Sequence, residues 1–156
     1  MRLPLSWLNE FVKIDDIPVE TLKDKLFSCG FEVEEIIKIN ENVKKIVVCQ
    51  INAIEQHPNA DKLSVCAVNA GEHGQLQIVT NAKNIKVGDK VPVSLDGAVL
   101  ADGTQIKKGK LRGVESDGMF CGGAEIGITE EYYDGAGEDS VLVFHDDFPV
   151  GADVCE

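Results

Sequence analysis

The 156-residue chain has no long apolar run, no cysteine pair at metal or redox spacing, few aromatic residues, and too few basic ones to balance its carboxylates. Each shortage excludes something. The opening MRLPLSWL has only a brief apolar stretch before Asn9 and Glu10. That is too short to cross a bilayer, and the small-residue cleavage site of a secretory leader is missing. The expectation is a cytoplasmic protein that makes no membrane contact. The five cysteines, Cys29, Cys49, Cys66, Cys121 and Cys155, stand far apart, with no CxxC and no histidine at zinc-finger spacing. They read as small buried or semi-buried thiols in a reducing compartment. Against 27 Asp and Glu stand 15 Lys and Arg, a formal net charge of −12. A surface that gathers phosphates by bulk positive charge is thereby excluded, and any contact with nucleic acid has to be local. Aromatic residues make up 6% of the chain, which leaves few rings for base stacking.

What is present is unevenly distributed. Lys83, Lys86, Lys90, Lys107, Lys108, Lys110 and Arg112 fall in one stretch, and no lysine or arginine follows Arg112. Hydrophobic residues amount to 44%, enough for one modest domain, or for a barrel of about 100 residues with a small appendage.

Near the start, Trp7, Leu8 and Phe11 recur at helical spacing over Ser6 to Val12, with Ser6 placed to cap the free N–H groups. A second helix is signalled by Pro18 at its start, Leu22, Leu26 and Phe27 on one face, and Gly30 past its end. Phe31, Val33, Ile36 and Ile39 then suggest a strand. After Asn40 come the short β-rich runs KIVVCQINAI, LSVCAVNA, QLQIVTN, VPVSL and SVLVF, separated by Gly, Asn, Asp and Pro. That pattern predicts a mainly β protein, a small closed barrel or a sandwich, and a five-stranded oligonucleotide-binding (OB-fold) barrel with a small helix-helix-strand α+β appendage fits the length. Val47, Ile51, Val65, Val79, Val91, Val93 and Val143 are its core candidates.

Several motif readings fail on spacing. GTQIKKGKL has one residue too many between Gly103 and Gly109 for a phosphate loop, and Leu111 stands where a magnesium-binding hydroxyl is needed. DGAGEDS from Asp134 puts Asp139 where a calcium loop needs glycine and His145 at its bidentate position. His57, His73 and His145 lack zinc-spaced partners, and no serine lies in a GxSxG elbow. No catalytic residues are expected. HPNADKL, residues 57–63, reads as a rigid turn, because Pro58 fixes φ and Asn59 and Asp61 can bond nearby backbone N–H groups. KKGKLRGVESDGMFCGG reads as a glycine-rich hairpin with basic side chains on an exposed edge.

Taken together, HPNADKLSVCAVNAGE, QIVTNAKNIKVGDKVPVSLDGAVL and IKKGKLRGVESDGMFCGGAEIGI closely resemble the tRNA-binding barrel shared by several synthetase-associated proteins. MRLPLSWLNEFVKID and ETLKDKLFSCGFEVEEI resemble the start of the bacterial-type phenylalanyl-tRNA synthetase β subunit. The resemblance implies three segments: residues 1–39 as the first half of a split α+β domain, 40–151 as the tRNA-binding barrel, and 152–156 as a truncated return into the split domain. It implies a class II ligase that joins phenylalanine to tRNA with ATP and Mg2+, assembled with an α subunit as α2β2. The catalytic centre would lie elsewhere, and this segment would need no cofactor of its own. By the same resemblance the RNA-facing residues are Asn59, Asp61, Lys62, Asn81, Lys110, Arg112, Ser116 and Met119, with Arg112 on phosphate, Ser116 on sugar or phosphate oxygen, and Met119 against a base or ribose. The competing expectations are a stand-alone tRNA-binding protein and a purely protein–protein assembly module.

Overall fold

Helix α1 spans Leu5–Phe11 and helix α2 spans Val19–Ser28 in a computed structural model that describes residues 1–137 and 139–155. Pro4, rather than Ser6, occupies the N-cap of α1, and its carbonyl accepts the Leu8 N–H at 3.2 Å. A proline suits that place because its φ is preset and its missing N–H would have had no helical partner. Pro18 does the same for α2. That helix ends as the glycine predicts: Phe31 N–H bonds Leu26 O, and Gly30, at φ 87°, bonds Phe27 O. The strand expected at Phe31 to Ile39 does not form, and these residues run without ladder pairing. The apolar residues here are irregularly spaced and meet no neighbouring strand, and a strand exists only through its partner.

The chain divides into two units, Met1–Lys38 and Ile39–Glu156; the second holds all the strands, β1 (Lys44–Gln56), β2 (Ser64–Asn69), β3 (Gln75–Thr80), β4 (Lys90–Val99), β5 (Gly109–Leu111), β6 (Val114–Ser116) and β7 (Met119–Phe120), and the four-residue helix α3 (Gly123–Ile126). Five of the strands make one strongly curled antiparallel sheet in the order β3-β2-β1-β4-β7, and β5 and β6 form a separate hairpin. β1 changes partner part-way along. Its first half pairs with β4 and its second half with β2, the two registers meeting at Gln50, which faces both Lys90 and Asn69. The far edge of the first half is filled by residues 151–154, through Val48 N–H to Ala152 O, Gly151 N–H to Val48 O and Val154 N–H to Ile46 O. Because Val48 uses its backbone groups there, its pairing with Pro92 is of the non-hydrogen-bonded kind, and the missing proline N–H takes nothing from this ladder.

Hydrophobic burial explains the spine. Ile46 to Cys49 are buried on both faces of β1, so the continuous run IVVC separates two apolar clusters. One contains Val47, Cys49, Ile51, Cys66, Val68, Ile78, Val91, Val93 and Phe120; the other contains Ile46, Leu100, Cys121, Ile126 and Leu142. Val47, Ile51, Val79, Val91 and Val93 are buried as expected. Val143 is half-buried against the first cluster. Val65 faces the other way, since β2 buries Ser64, Cys66 and Val68 and turns the alternate residues outward. Burial pushes the thiols of Cys49, Cys66 and Cys121 up to about 12, 11 and 12, whereas Cys29 and Cys155 are exposed.

SVLVF, residues 140–144, is not a sheet strand, and its place beside β4 belongs to the two-residue β7. Phe144 makes a single bridge to Lys90, while Val141 and Leu142 drop into opposite clusters. An apolar run of this length reports burial without reporting a ladder.

Side chains help to close the sheet on itself. Past β6, Asp117 N–H bonds Gln77 O at 2.8 Å, its carboxylate accepts Gln77 N–H at 2.9 Å, and Ser116 Oγ accepts Val79 N–H at 3.0 Å while donating to Gly118 O at 2.8 Å. Ser116→Ala would leave the buried Val79 N–H without that partner. The expected result is a loss of about 1–3 kcal/mol and faster hydrogen exchange at Val79; unchanged exchange would show that this seam does not hold β3.

Candidate nucleic-acid interface

The basic hairpin β5-β6 turns through Arg112 and Gly113, with φ of 53° and 86°. Two successive left-handed residues make the type I′ turn favoured in two-residue hairpins. Glycine adopts this conformation freely, but arginine at φ 53° is disfavoured by about 1–2 kcal/mol, so its surroundings have to hold it. They do so from the HPNADKL turn. His57 is 3% exposed; its Nδ1 accepts Asn59 N–H at 3.0 Å and its Nε2 lies 2.9 Å from Leu111 O. Asn59 Nδ2 donates to Arg112 O at 3.3 Å.

The turn is itself rigid. His57 N–H bonds Leu63 O, Leu63 N–H bonds Ala60 O, and Gln56 Nε2 donates to the carbonyls of Ala60, Asp61 and Leu63. Asn59 thus reaches across to the hairpin instead of folding onto its own turn.

Two sets of candidate residues separate here. Asn59, Asp61, Lys62, Asn81, Lys110 and Arg112 are all exposed. Asn59 and Arg112 are joined directly, Lys62 shares the turn, and Lys110 lies two residues before Arg112. Asn81 follows Thr80, whose pairing with Ser64 puts it at the end of the barrel that carries the turn. Ser116 is buried with its hydroxyl committed to Val79 and Gly118. Met119 is half-buried against the second cluster, and its carbonyl accepts the Ser94 hydroxyl at 3.0 Å.

Electrostatics on this face are mixed. Lys110 Nζ lies 3.7 Å from Glu115 and Lys108 Nζ lies 3.3 Å from Asp117; both lysines are more than half exposed, so water screens the pairs and each contributes under about 1 kcal/mol. Among the described residues, Lys62 and Arg112 carry no ion pair. Local positive charge thus survives within an acidic chain. Sequence reasoning missed His57, whose partner carbonyl is 54 residues away, a separation at which no local spacing gives a signal.

The family model described as "Putative tRNA binding domain" matches residues 46–153. The chain belongs to this tRNA-binding domain family. The matched span begins at Ile46 in β1 and ends at Asp153, which bridges back to Val47, so in this tRNA-binding domain residues 151–153 complete the barrel. The whole chain is also similar to the "Phenylalanine--tRNA ligase beta subunit" of Clostridium tetani and of Bacillus cereus, at 43% identity to each over 156 residues. It spans 19% of the length of those relatives and corresponds to their N-terminal region. A solved MetRS related protein from Pyrococcus horikoshii aligns over 76% of this chain and 96% of its own, with 24% identity and a TM-score of 0.48.

Proposed function

We propose that this barrel is the tRNA-contacting module of a phenylalanine–tRNA ligase β subunit, and that it grips the RNA backbone through Arg112, Lys110, Lys62 and Asn59. The observation that carries this reading is the locked pair of turns: Asn59 and the strained Arg112 are hydrogen-bonded together on an exposed face. Arg112 offers a planar fork to a phosphate, Lys110 and Lys62 act as mobile point charges, and the carboxamide of Asn59 bonds sugar or phosphate oxygen. Contacts of this kind hold an RNA by shape without reading its sequence.

The catalytic work belongs to the rest of the enzyme: an α subunit in an α2β2 assembly, with ATP and Mg2+, in the cytoplasm and away from membranes. Among the described residues no three His, Cys, Asp or Glu side chains gather to hold a metal ion, and no helix is long and apolar enough to cross a membrane. On this reading magnesium and ATP act in the rest of the enzyme. The net charge of −12 and the commitment of Ser116 and Met119 to the barrel favour a second reading, in which the module only packs against other parts of the synthetase.

Salt dependence separates the two. With two to four phosphate contacts, tRNA affinity should fall by about 0.7–0.9 log units per contact for each decade of salt. Titration of the chain with tRNA at several salt concentrations checks this, and the absence of salt-sensitive binding would leave the packing role.

A further inference from the structure

We infer that His57 is the positioning residue of this RNA face: a buried clamp that fixes Arg112 without touching RNA. The inference rests on the RNA-binding reading and deepens it. Nδ1 of His57 accepts a backbone N–H from Asn59, so Nδ1 carries no proton. The ring's proton therefore sits on Nε2, which donates to Leu111 O. Only the neutral Nε2–H tautomer makes both bonds. Leu111 is the last residue of β5 and directly precedes Arg112.

The hairpin needs such a clamp. Its strands are three residues each and stand outside the main sheet, and an isolated two-stranded hairpin is marginal in water. Its base is tied to β3 through Ser116 and Asp117. Its tip is tied by His57 to Leu111 and by Asn59 to Arg112. Because Asn59 N–H is held by the same imidazole, one side chain sets both turns. A free tip would let Arg112 relax from its left-handed backbone and swing away from Asn59.

Two substitutions divide the clamp. In His57→Gln the terminal amide nitrogen can take the place of Nε2 and donate to Leu111 O. In His57→Asn the shorter amide can still accept Asn59 N–H but cannot reach Leu111. Measured by tRNA titration against salt, His57→Gln, which keeps the bond to Leu111 but gives up the one from Asn59, should lose less affinity than His57→Asn. His57→Asn should bind about tenfold more weakly, with its salt slope reduced by roughly one contact. Adding Arg112→Ala to His57→Asn should change little more, since residues acting through one contact are not additive.

Nitrogen-15 NMR of the RNA-free chain supplies the independent readout. The imidazole should show the Nε2–H tautomer, and the amides of Leu111 to Gly113 should lose order in His57→Asn but not in His57→Gln, while Val79 stays protected. A His57→Asn chain with an ordered tip, or one whose loss adds fully to that of Arg112→Ala, overturns the clamp. If Arg112→Ala alone leaves the salt slope unchanged, the RNA-binding reading fails, and tip order still decides whether His57 fixes the hairpin.

Discussion

Gly118→Ala is expected to destabilise the barrel by about 3 kcal/mol, at the upper end for overpacking a rigid interior. A Cβ at Gly118 would overlap the carbonyl oxygen of Ser94, while Ile78 Cδ1 would lie at an ordinary contact distance of 3.6 Å. The constraint is space, because φ at this glycine is not positive. Relief would have to come from the backbone of β4. Ser94 is fully buried, pairs with Ile46 on one side and Met119 on the other, and donates its hydroxyl to Met119 O. Gly109→Ala is the matching control, since open space surrounds that position and its φ is ordinary. Urea unfolding followed by far-UV circular dichroism should show a lower midpoint with unchanged slope for Gly118→Ala, and little change for Gly109→Ala. If the two variants unfold alike, β7 does not cross Ser94 as described.

Replacing Lys110 and Arg112 together by Ala should carry the largest effect on RNA. Each lost phosphate contact removes about 0.7–0.9 from the salt slope, and the loss of two charge-assisted bonds should weaken tRNA binding by at least about tenfold. Stability should hardly move: both side chains are exposed, and the Lys110–Glu115 pair is a screened surface pair. Arg112→Gly refines the test. It removes the guanidinium yet relieves the left-handed strain, so it should weaken RNA binding while leaving the fold as stable as wild type or more so. Wild-type affinity and slope in the double variant would remove the RNA role and leave a packing module.

How much of this was legible beforehand depends on how far apart the responsible residues lie. The helices of the first unit could be read because their signals are local: Pro18 and Gly30 bracket α2 within a dozen residues. β1 to β4 were legible because each is a self-contained apolar run between turn residues. The register of β2 was less so: the run contains Val65 and Cys66 side by side, and only pairing with β1 and β3 decides which points inward. β7 has two residues, too few for any periodicity to reveal, while SVLVF has the composition of a strand and no ladder. Of the site residues, sequence pattern located the two turns but could not sort Ser116 and Met119, which the fold uses internally, from Lys110 and Arg112, which it leaves in water.

By itself, the sequence determined that this is an acidic, mainly β chain with two short leading helices, a rigid HPNADKL turn and a basic glycine-rich hairpin, since each of these follows from charge, φ preference or apolar spacing within a short window. The tertiary structure alone decided that the turn and the hairpin meet. His57 and Leu111 are distant along the chain and become neighbours because β1 ends at the turn while the seam from Ser116 to Val79 holds the hairpin at the same end of the barrel. A contact of that kind is fixed by how the sheet closes, and closure depends on the packing of the whole core.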